Sequence, residues 1–328
     1  MYADKIGNYS KALPHNNLGE VDLNSYQALI EALTTGNPDL FELIPLGGVA
    51  KLTDPQAAYA YEMAGPDSHH LSMIAPPAYS SAWNASEMAE LYWQALTRDV
   101  PFLDYNTDPL TLAAASDLSK FSDFRGPKVN GAVTTGTLFR GDTPGDLVGL
   151  YISQFLCKDT PFGTTTFVQK YRTTVAGDDY MTSYEDWLNI QNGLAPSGQN
   201  QFDPTPRYIR NGRDMALWVY QDFSYQGTLT ACLILLGFGQ AALDPANPYL
   251  RSATQVGFPT FGGPHILDLV AGASRKALEA AWFQKWLVHR RLRPEAFGGD
   301  VQNVMTGAAS YPINTELLNS QALSQVYS

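Results

Sequence analysis

Apolar residues recur at helical spacing along most of this chain. In residues 25–33 and 86–96 they lie three and four positions apart, the spacing that gives a helix one apolar face. Ser86 is placed to cap the second helix. Asp-Pro pairs at 54–55 and 108–109 indicate helix starts, because proline is favoured at the first helical position. The predicted helices are 25–33, 54–63, 86–96, 109–121, 146–155, 210–225, 265–292 and 314–326, with a buried apolar helix in the run 229–243.

Strand signals are few. Residues 131–136 and 162–174 are rich in Gly, Thr and Val and predict loops or a short hairpin. The predicted class is therefore all-α with minor β-hairpins. No stretch clearly separates two domains, so we expect residues 1–328 to form a single helical domain.

The composition narrows the possible partners. Charged residues make up only 16% of the 328-residue chain, which suggests that much surface is covered, for example in a homo-oligomer. The net charge of -11 argues against nucleic acid or an anionic membrane, because binding phosphates requires a basic surface. The longest apolar run is too short to span a membrane, and no export signal is visible at the N-terminus, so localisation is left open.

Four of the 21 Lys and Arg residues fall within residues 285–293, with no acid among them. If the helix continues through this stretch, Trp282, Lys285, His289 and Arg293 share one face within an arc of roughly 80°. Cations at a helix end also complement the helix dipole, so a solvated basic helix end explains the run as well. The alternative is an oxyanion site, in which a Lys and an Arg grip different oxygens of one phosphate-like ion.

Residues 282–296 closely resemble the first motif of vanadium-dependent bromoperoxidases of the algal and cyanobacterial type. That family shares a superfamily with the type 2 acid phosphatases, whose Lys-to-Arg-Pro spacing is one residue shorter than the seven residues between Lys285 and Arg293 here. The resemblance extends upstream to residues 138–141, 144–145, 148–149, 207–236, 262–269 and 275–278. It implies a large helical bundle of the haloperoxidase and acid phosphatase type.

The resemblance also implies an activity. Such enzymes use vanadate to oxidise a halide, here bromide by expectation, with hydrogen peroxide, and the hypohalous acid then halogenates an organic acceptor. Lys285 would polarise the bound peroxide and Arg293 would neutralise oxyanion charge. Trp282 matches a position near the halide, although core packing explains it equally well. His289 is expected to be structural or to lie near the vanadate. Family members assemble as homo-oligomers.

Two further motifs of the family lie C-terminal to the first, a Ser-Gly-His segment and an Arg followed by the His that binds vanadium. None of the five histidines follows Arg293, and Pro196-Ser197-Gly198-Gln199 lies upstream and lacks the His. The sequence therefore resembles the N-terminal portion of such an enzyme. We expect no metal ligand within it, and a C-terminal segment or second chain to complete the site.

Two other functions remain open. The chain could be a non-catalytic scaffold or binding subunit on the same fold, with no vanadate-dependent activity in any combination. It could also be a phosphatase-like hydrolase, which the Lys-to-Arg spacing disfavours.

Overall fold

The structure is a computed structural model and describes residues 3–60, 65, 67–143, 145–251 and 256–328. The chain divides into two compact units. Unit 1 comprises Met1–Leu147, Gly177–Asn200 and Glu279–Ser328, and unit 2 comprises Val148–Ala176 and Gln201–Leu278. The expectation of a single domain stays a prediction.

Helices dominate the described residues, which confirms the predicted all-α class. The α-helices are α1 Leu23–Thr35, α2 Pro38–Phe41, α3 Ala82–Leu96, α4 Pro109–Leu118, α5 Tyr184–Gln191, α6 Gly212–Gln221, α7 Gln226–Leu236, α8 Gly263–Phe283, α9 Pro294–Thr306, α10 Thr315–Leu318 and α11 Gln321–Val326. Short 3-10 helices lie at Pro55–Tyr59, Ser68–His70, Phe102–Asp104, Gln154–Cys157, Gln240–Ala242 and Pro248–Arg251. Two strands, β1 Thr160–Phe162 and β2 Thr165–Phe167, form an antiparallel hairpin that overlaps the predicted region 162–174.

Local capping explains where the helices begin. The side chain of Asp22 accepts from the backbone N–H of Ser25 at the start of α1, and Asp108 does the same for Leu110 and Thr111 in α4. The predicted cap at Ser86 is wrong. Ser81 caps α3, and Ser86 is buried inside that helix, donating to the carbonyls of Trp83 and Asp123.

Several predicted helices are shorter than expected. The helix predicted from residue 54 is a 3-10 helix, Pro55–Tyr59, and residues 61–63 lie outside the described residues. In place of the helix predicted for 146–155, the described residues form turns followed by the 3-10 helix Gln154–Cys157. The predicted C-terminal helix is interrupted at Asn319, because Ser320 caps a new helix, α11. The apolar run 229–243 leaves the helix after Leu236.

The largest correction concerns the predicted helix 265–292. Its α-helical part ends at Phe283, and Gln284–His289 continue as a π-helix. Arg290 then adopts left-handed backbone angles, φ 45° and ψ 45°, which stop the helix three residues before Arg293. Arg293 lies outside this helix and is the N-cap of α9, a helix that the sequence reasoning did not predict. The prediction that Lys285 and Arg293 share one face of a single helix is therefore wrong.

Unit 1 has two apolar cores. One contains buried residues of α3, α4, α9, α10 and α11. The other contains buried residues of α1, of the N-terminal residues and of the π-helix, including the fully buried Trp286. The π-helix is thus anchored in a core on one side, which leaves its other side for the site described below.

No helix within the described part of the chain is both long enough and apolar enough to cross a membrane.

Candidate functional site

The N-terminal strap, residues 7–11, lies along the segment that follows the π-helix. The backbone N–H of Tyr9 donates to the carbonyl of Arg290 at 2.7 Å, and that of Leu292 donates to the carbonyl of Gly7 at 3.2 Å. Asn8 and Arg291 form an antiparallel bridge between these two hydrogen bonds. The strap therefore fixes the backbone that leads from the π-helix to Arg293.

Lys285 extends from the π-helix among aromatic rings. Its Nζ lies 4.7 Å from the ring centroid of Trp286, 4.9 Å from that of Tyr9 and 5.4 Å from that of Trp282. Cations are attracted to the faces of such rings. Among the described residues Lys285 forms no ion pair with a carboxylate. Burial, and then the positive charges of Arg293 and Lys11, lower the pKa of Lys285.

Arg290 and Arg291 have partners of their own. Arg290 Nη1 donates to the carbonyls of Trp286 at 3.0 Å and Leu287 at 2.8 Å, so this side chain satisfies the end of its own helix. Arg291 pairs with the carboxylate of Glu87. The basic run is therefore explained in part by helix capping and by a surface ion pair.

Arg293 is held by a carboxylate two residues along the chain. Its Nε donates to Oε1 of Glu295, which also accepts from Nζ of Lys11 at 2.9 Å. Burial raises the pKa of Glu295, but the charges and hydrogen bonds of Lys11 and Arg293 outweigh it, so the pKa lies below its usual value. Glu295 is therefore a carboxylate between two cations.

Lys285, Arg291 and Arg293 line one cavity of about 450 Å³ in unit 1. Three of the four predicted site residues, Lys285, His289 and Arg293, line it, whereas Trp282 does not and packs against the core that contains Trp286. The full lining is Tyr9, Met73, Ile74, Ala75, Pro76, Pro77, Trp83, Glu87, Ala281, Gln284, Lys285, His289, Arg291, Leu292, Arg293 and Pro294. The wall is thus cationic on the side of the π-helix and apolar on the side of residues 73–77.

His289 is the one histidine in this lining. Its Nε2 is buried and has no hydrogen-bond partner among the described residues. A buried nitrogen without a partner is unusual, since most buried polar atoms are hydrogen-bonded. Within the described ranges, no group of three or more His, Cys, Asp or Glu side chains is arranged to hold a metal ion.

The arrangement is chemically suited to a small oxyanion. Lys285 offers a positive charge that no carboxylate of the described residues neutralises. The guanidinium of Arg293 donates to Glu295 through Nε, and its two terminal amino groups have no acceptor in the described ranges. Together they can contact different oxygens of one tetrahedral ion.

Sequence reasoning missed the groups that arrange these cations. Tyr9 and Lys11 come from the N-terminal strap, and no local pattern links that strap to residues 285–293. The signal for Glu295 was present, because it directly follows Arg293-Pro294.

Comparison with known proteins finds vanadium-dependent bromoperoxidases among both the curated sequences and the solved structures. No protein-family profile matches the chain. A vanadium-dependent bromoperoxidase of Ascophyllum nodosum is 34% identical over 98% of this chain and 60% of its own length. Those of Corallina pilulifera and Corallina officinalis are each 29% identical over 90% of this chain and 60% of their own lengths. The chain thus spans about 60% of the length of the curated relatives it matches.

A solved structure is similar over nearly the whole chain. It is the homohexameric second vanadate-dependent bromoperoxidase of Ascophyllum nodosum, with a TM-score of 0.92 and 33% sequence identity. The match covers 99% of this chain and 55% of that one. The resemblance to vanadium-dependent bromoperoxidases indicated by residues 282–296 is therefore confirmed in sequence and in fold.

Proposed function

We propose that this chain forms part of a vanadate-dependent haloperoxidase that oxidises a halide, with bromide expected, by hydrogen peroxide to hypohalous acid. The observation that carries the proposal is that two cations line one cavity: Lys285, which forms no ion pair with a carboxylate of the described residues, and Arg293. The similarity to named bromoperoxidases supports the choice of reaction. An organic acceptor would take up the oxidised halogen.

The residues present fit vanadate as they fit any tetrahedral oxyanion. Lys285 has three donors and Arg293 has two terminal amino groups without an acceptor among the described residues, and both line the same cavity. When bound, vanadate supplies a Lewis acid that activates peroxide, and the oxidation state of vanadium stays the same.

Each residue of this chain has a distinct part in the proposal. Lys285 donates to the oxygen that carries developing negative charge, where a preorganised cation is most effective. Arg293 offsets the charge of the remaining oxygens. The rings of Tyr9 and Trp286 keep the lysine ammonium in place. His289 is proposed to lie near the vanadate, since it lines the cavity and its buried Nε2 has no hydrogen-bond partner among the described residues.

The rest of the site is proposed to come from outside these residues. The family resemblance implies further donors from its second and third motifs, namely Ser, Gly, a second Arg and the His that binds vanadium, so a C-terminal segment or a second chain would complete the site. A homo-oligomer is also proposed, in line with the homohexameric relative.

Bromide oxidation tests the proposal directly. The chain is assayed for peroxide-dependent bromination of phenol red with and without orthovanadate, alone and with the complementary segment, after its intact mass is checked. We expect vanadate-dependent activity only with the complement, and its loss in Lys285→Met.

The other outcomes separate the alternatives. Activity of this chain alone would overturn the need for a complement. Absence of vanadate-dependent bromide oxidation in every combination would overturn the enzyme and favour a non-catalytic scaffold. Hydrolysis of a phosphate monoester instead would favour the phosphatase-like alternative.

A further inference from the structure

Glu295 is the carboxylate closest in sequence to the cations of the cavity, and its contacts suggest a specific task. We propose that Glu295, supported by Lys11, is a positioning residue that holds Arg293 so that its terminal amino groups serve an oxyanion. The inference rests on the oxyanion site of the proposed function. It adds a residue whose effect on the anion is transmitted through another side chain.

Glu295 binds Arg293 in a way that leaves both terminal amino groups of the guanidinium without an acceptor among the described residues. The hydrogen bond to Glu295 is made by Nε. An arginine offers its donors as a rigid planar fork, so fixing Nε also fixes the direction of both terminal amino groups. The Arg293 side chain is 46% exposed, and without this contact it would sample several rotamers.

The backbone of Glu295 is held in place by Trp187. The indole Nε1 of Trp187 donates to the backbone carbonyl of Glu295 at 2.7 Å. The ring lies against two glycines: a Cβ at Gly299 would be 1.8 Å from its Cζ2, and one at Gly19 would be 2.2 Å from its Cη2. Only glycine at both positions admits the indole at this depth. The first turn of α9 is thus anchored where it presents Glu295.

Lys11 provides the second attachment. Its Nζ shares Oε1 of Glu295 with Arg293, and the Glu295 side chain is only 18% exposed. A carboxylate that is shielded from water and bound by two cations moves little. Lys11 also belongs to the strap that carries Tyr9, so the same segment supports both Lys285 and Arg293.

The alternative is that Glu295 acts only through its charge. The two possibilities predict opposite signs for removal of the carboxylate. A negative charge beside an anion site repels the anion, so removing a simple counter-charge strengthens anion binding. Removing a positioning group weakens anion binding, because Arg293 is no longer held in place.

Binding of orthovanadate and of inorganic phosphate to this chain together with the complementary segment, measured by calorimetry, distinguishes the two possibilities. We expect Glu295→Ala to bind both ions about tenfold more weakly, as for the loss of a charge-assisted hydrogen bond. Glu295→Gln keeps an acceptor for Nε and should stay within about threefold of the parent chain. Equal or tighter binding by Glu295→Ala would overturn the proposal.

Asp203→Ala is the matched control. Asp203 also pairs with an arginine, Arg207, its side chain is 20% exposed, and neither residue lines the cavity. Its removal should leave anion affinity equal to that of the parent, and a loss as large as that of Glu295→Ala would overturn the special role of Glu295. If Glu295→Ala does not fold by circular dichroism, Glu295→Asp, one methylene shorter, replaces it with the same expected direction.

A double-mutant cycle tests whether the effect passes through Arg293. In an Arg293→Ala background, Glu295→Ala should no longer weaken phosphate or orthovanadate binding. The same tenfold loss in that background would show that Glu295 acts by another route and would overturn the proposal.

Failure of the proposed function is distinguishable from failure of this inference. If the binding changes are as expected and bromide is not oxidised, only the proposed function fails. If neither ion binds the parent chain together with its complement, the oxyanion site itself fails, and phenylglyoxal modification of Arg293 then decides whether Glu295 positions it. Faster modification of Arg293 in Glu295→Ala, and not in Asp203→Ala, supports the positioning, and equal rates overturn it.

Discussion

Lys285 and Arg293 line the same cavity, but their surroundings hold the two cations in opposite ways. On the π-helix side, Lys285 lies among three aromatic rings and has no carboxylate partner in the described residues. On the side of α9, Arg293 is paired with Glu295, just as Arg291 is paired with Glu87. Rings position a cation while leaving most of its charge available, whereas a carboxylate positions it and offsets its charge. The lysine should therefore contribute more to anion binding than either arginine.

Removal of Lys285 should have the largest effect. We expect Lys285→Met to weaken orthovanadate and phosphate binding about a hundredfold, because the cation without a counter-ion is lost from a partly buried site. Calorimetric titration measures the change. Lys120→Met is the control, since Lys120 is 65% exposed and lies near Asp117, and it should bind as the parent does. Comparable losses in both variants would mean that the effect is nonspecific.

Removal of Arg293 should have a smaller effect. Arg293→Gln is expected to reduce oxyanion affinity about tenfold, because the guanidinium is half-exposed and already offset by Glu295. Arg291→Gln should reduce it less again. The same titrations give the order, and a greater loss for Arg293→Gln than for Lys285→Met would reverse the comparison between the two sides.

The pH dependence of binding should also follow the lysine. Its pKa is lowered by burial and by the charges of Arg293 and Lys11, and the ammonium is the form that binds an anion. Affinity should therefore be lost as the pH rises through this lowered value, at a lower pH than for an ordinary lysine.

Phosphate titrations across neutral to alkaline pH measure this loss, with Lys285→Arg as the control. A guanidinium stays charged throughout, so that variant should keep its affinity to higher pH. Identical profiles for the two proteins would assign the pH dependence to the anion. In Lys11→Met the loss should move to higher pH, because one of the charges that lower the pKa is gone.

The smallest expected change concerns the ring of Tyr9. Tyr9→Leu should weaken phosphate binding about threefold, the size of one partly exposed cation–π contact. Tyr9→Phe keeps the ring face and should match the parent. A loss in Tyr9→Phe as large as in Tyr9→Leu would point to the hydroxyl instead, and thermal unfolding of both variants shows whether the core around Trp286 is intact.

The fold class and two key residues could be predicted from sequence because their signals are local. Helical spacing and Asp-Pro starts identified α1 and α4, and the motif around Lys285 and Arg293 was compact enough to resemble a known family. Ser86 misled the prediction of the α3 start, because a serine four residues into a helix and a serine at its cap look alike without the flanking geometry.

What the sequence did not reveal depends on contacts between distant parts of the chain. The π-helix and the left-handed Arg290 end α8 before Arg293, and both are tied to the strap through the hydrogen bond from Tyr9 to Arg290. Helical periodicity assumes a constant rotation of about 100° per residue, and extending it past residue 289 placed Arg293 on the wrong element. Glu295 and Lys11 form their ion pair only when α9 and the strap come together, and no local pattern in the sequence indicates that contact.

The ion pair between Lys11 and Glu295 joins positions 284 residues apart in sequence. On the ribosome, the strap is therefore made well before its partner in α9. The cavity therefore assembles only after synthesis has passed α9, when a very large loop is closed. Until α9 has been synthesised, Lys11 has no Glu295 to pair with, so the support for Arg293 is one of the later contacts to form.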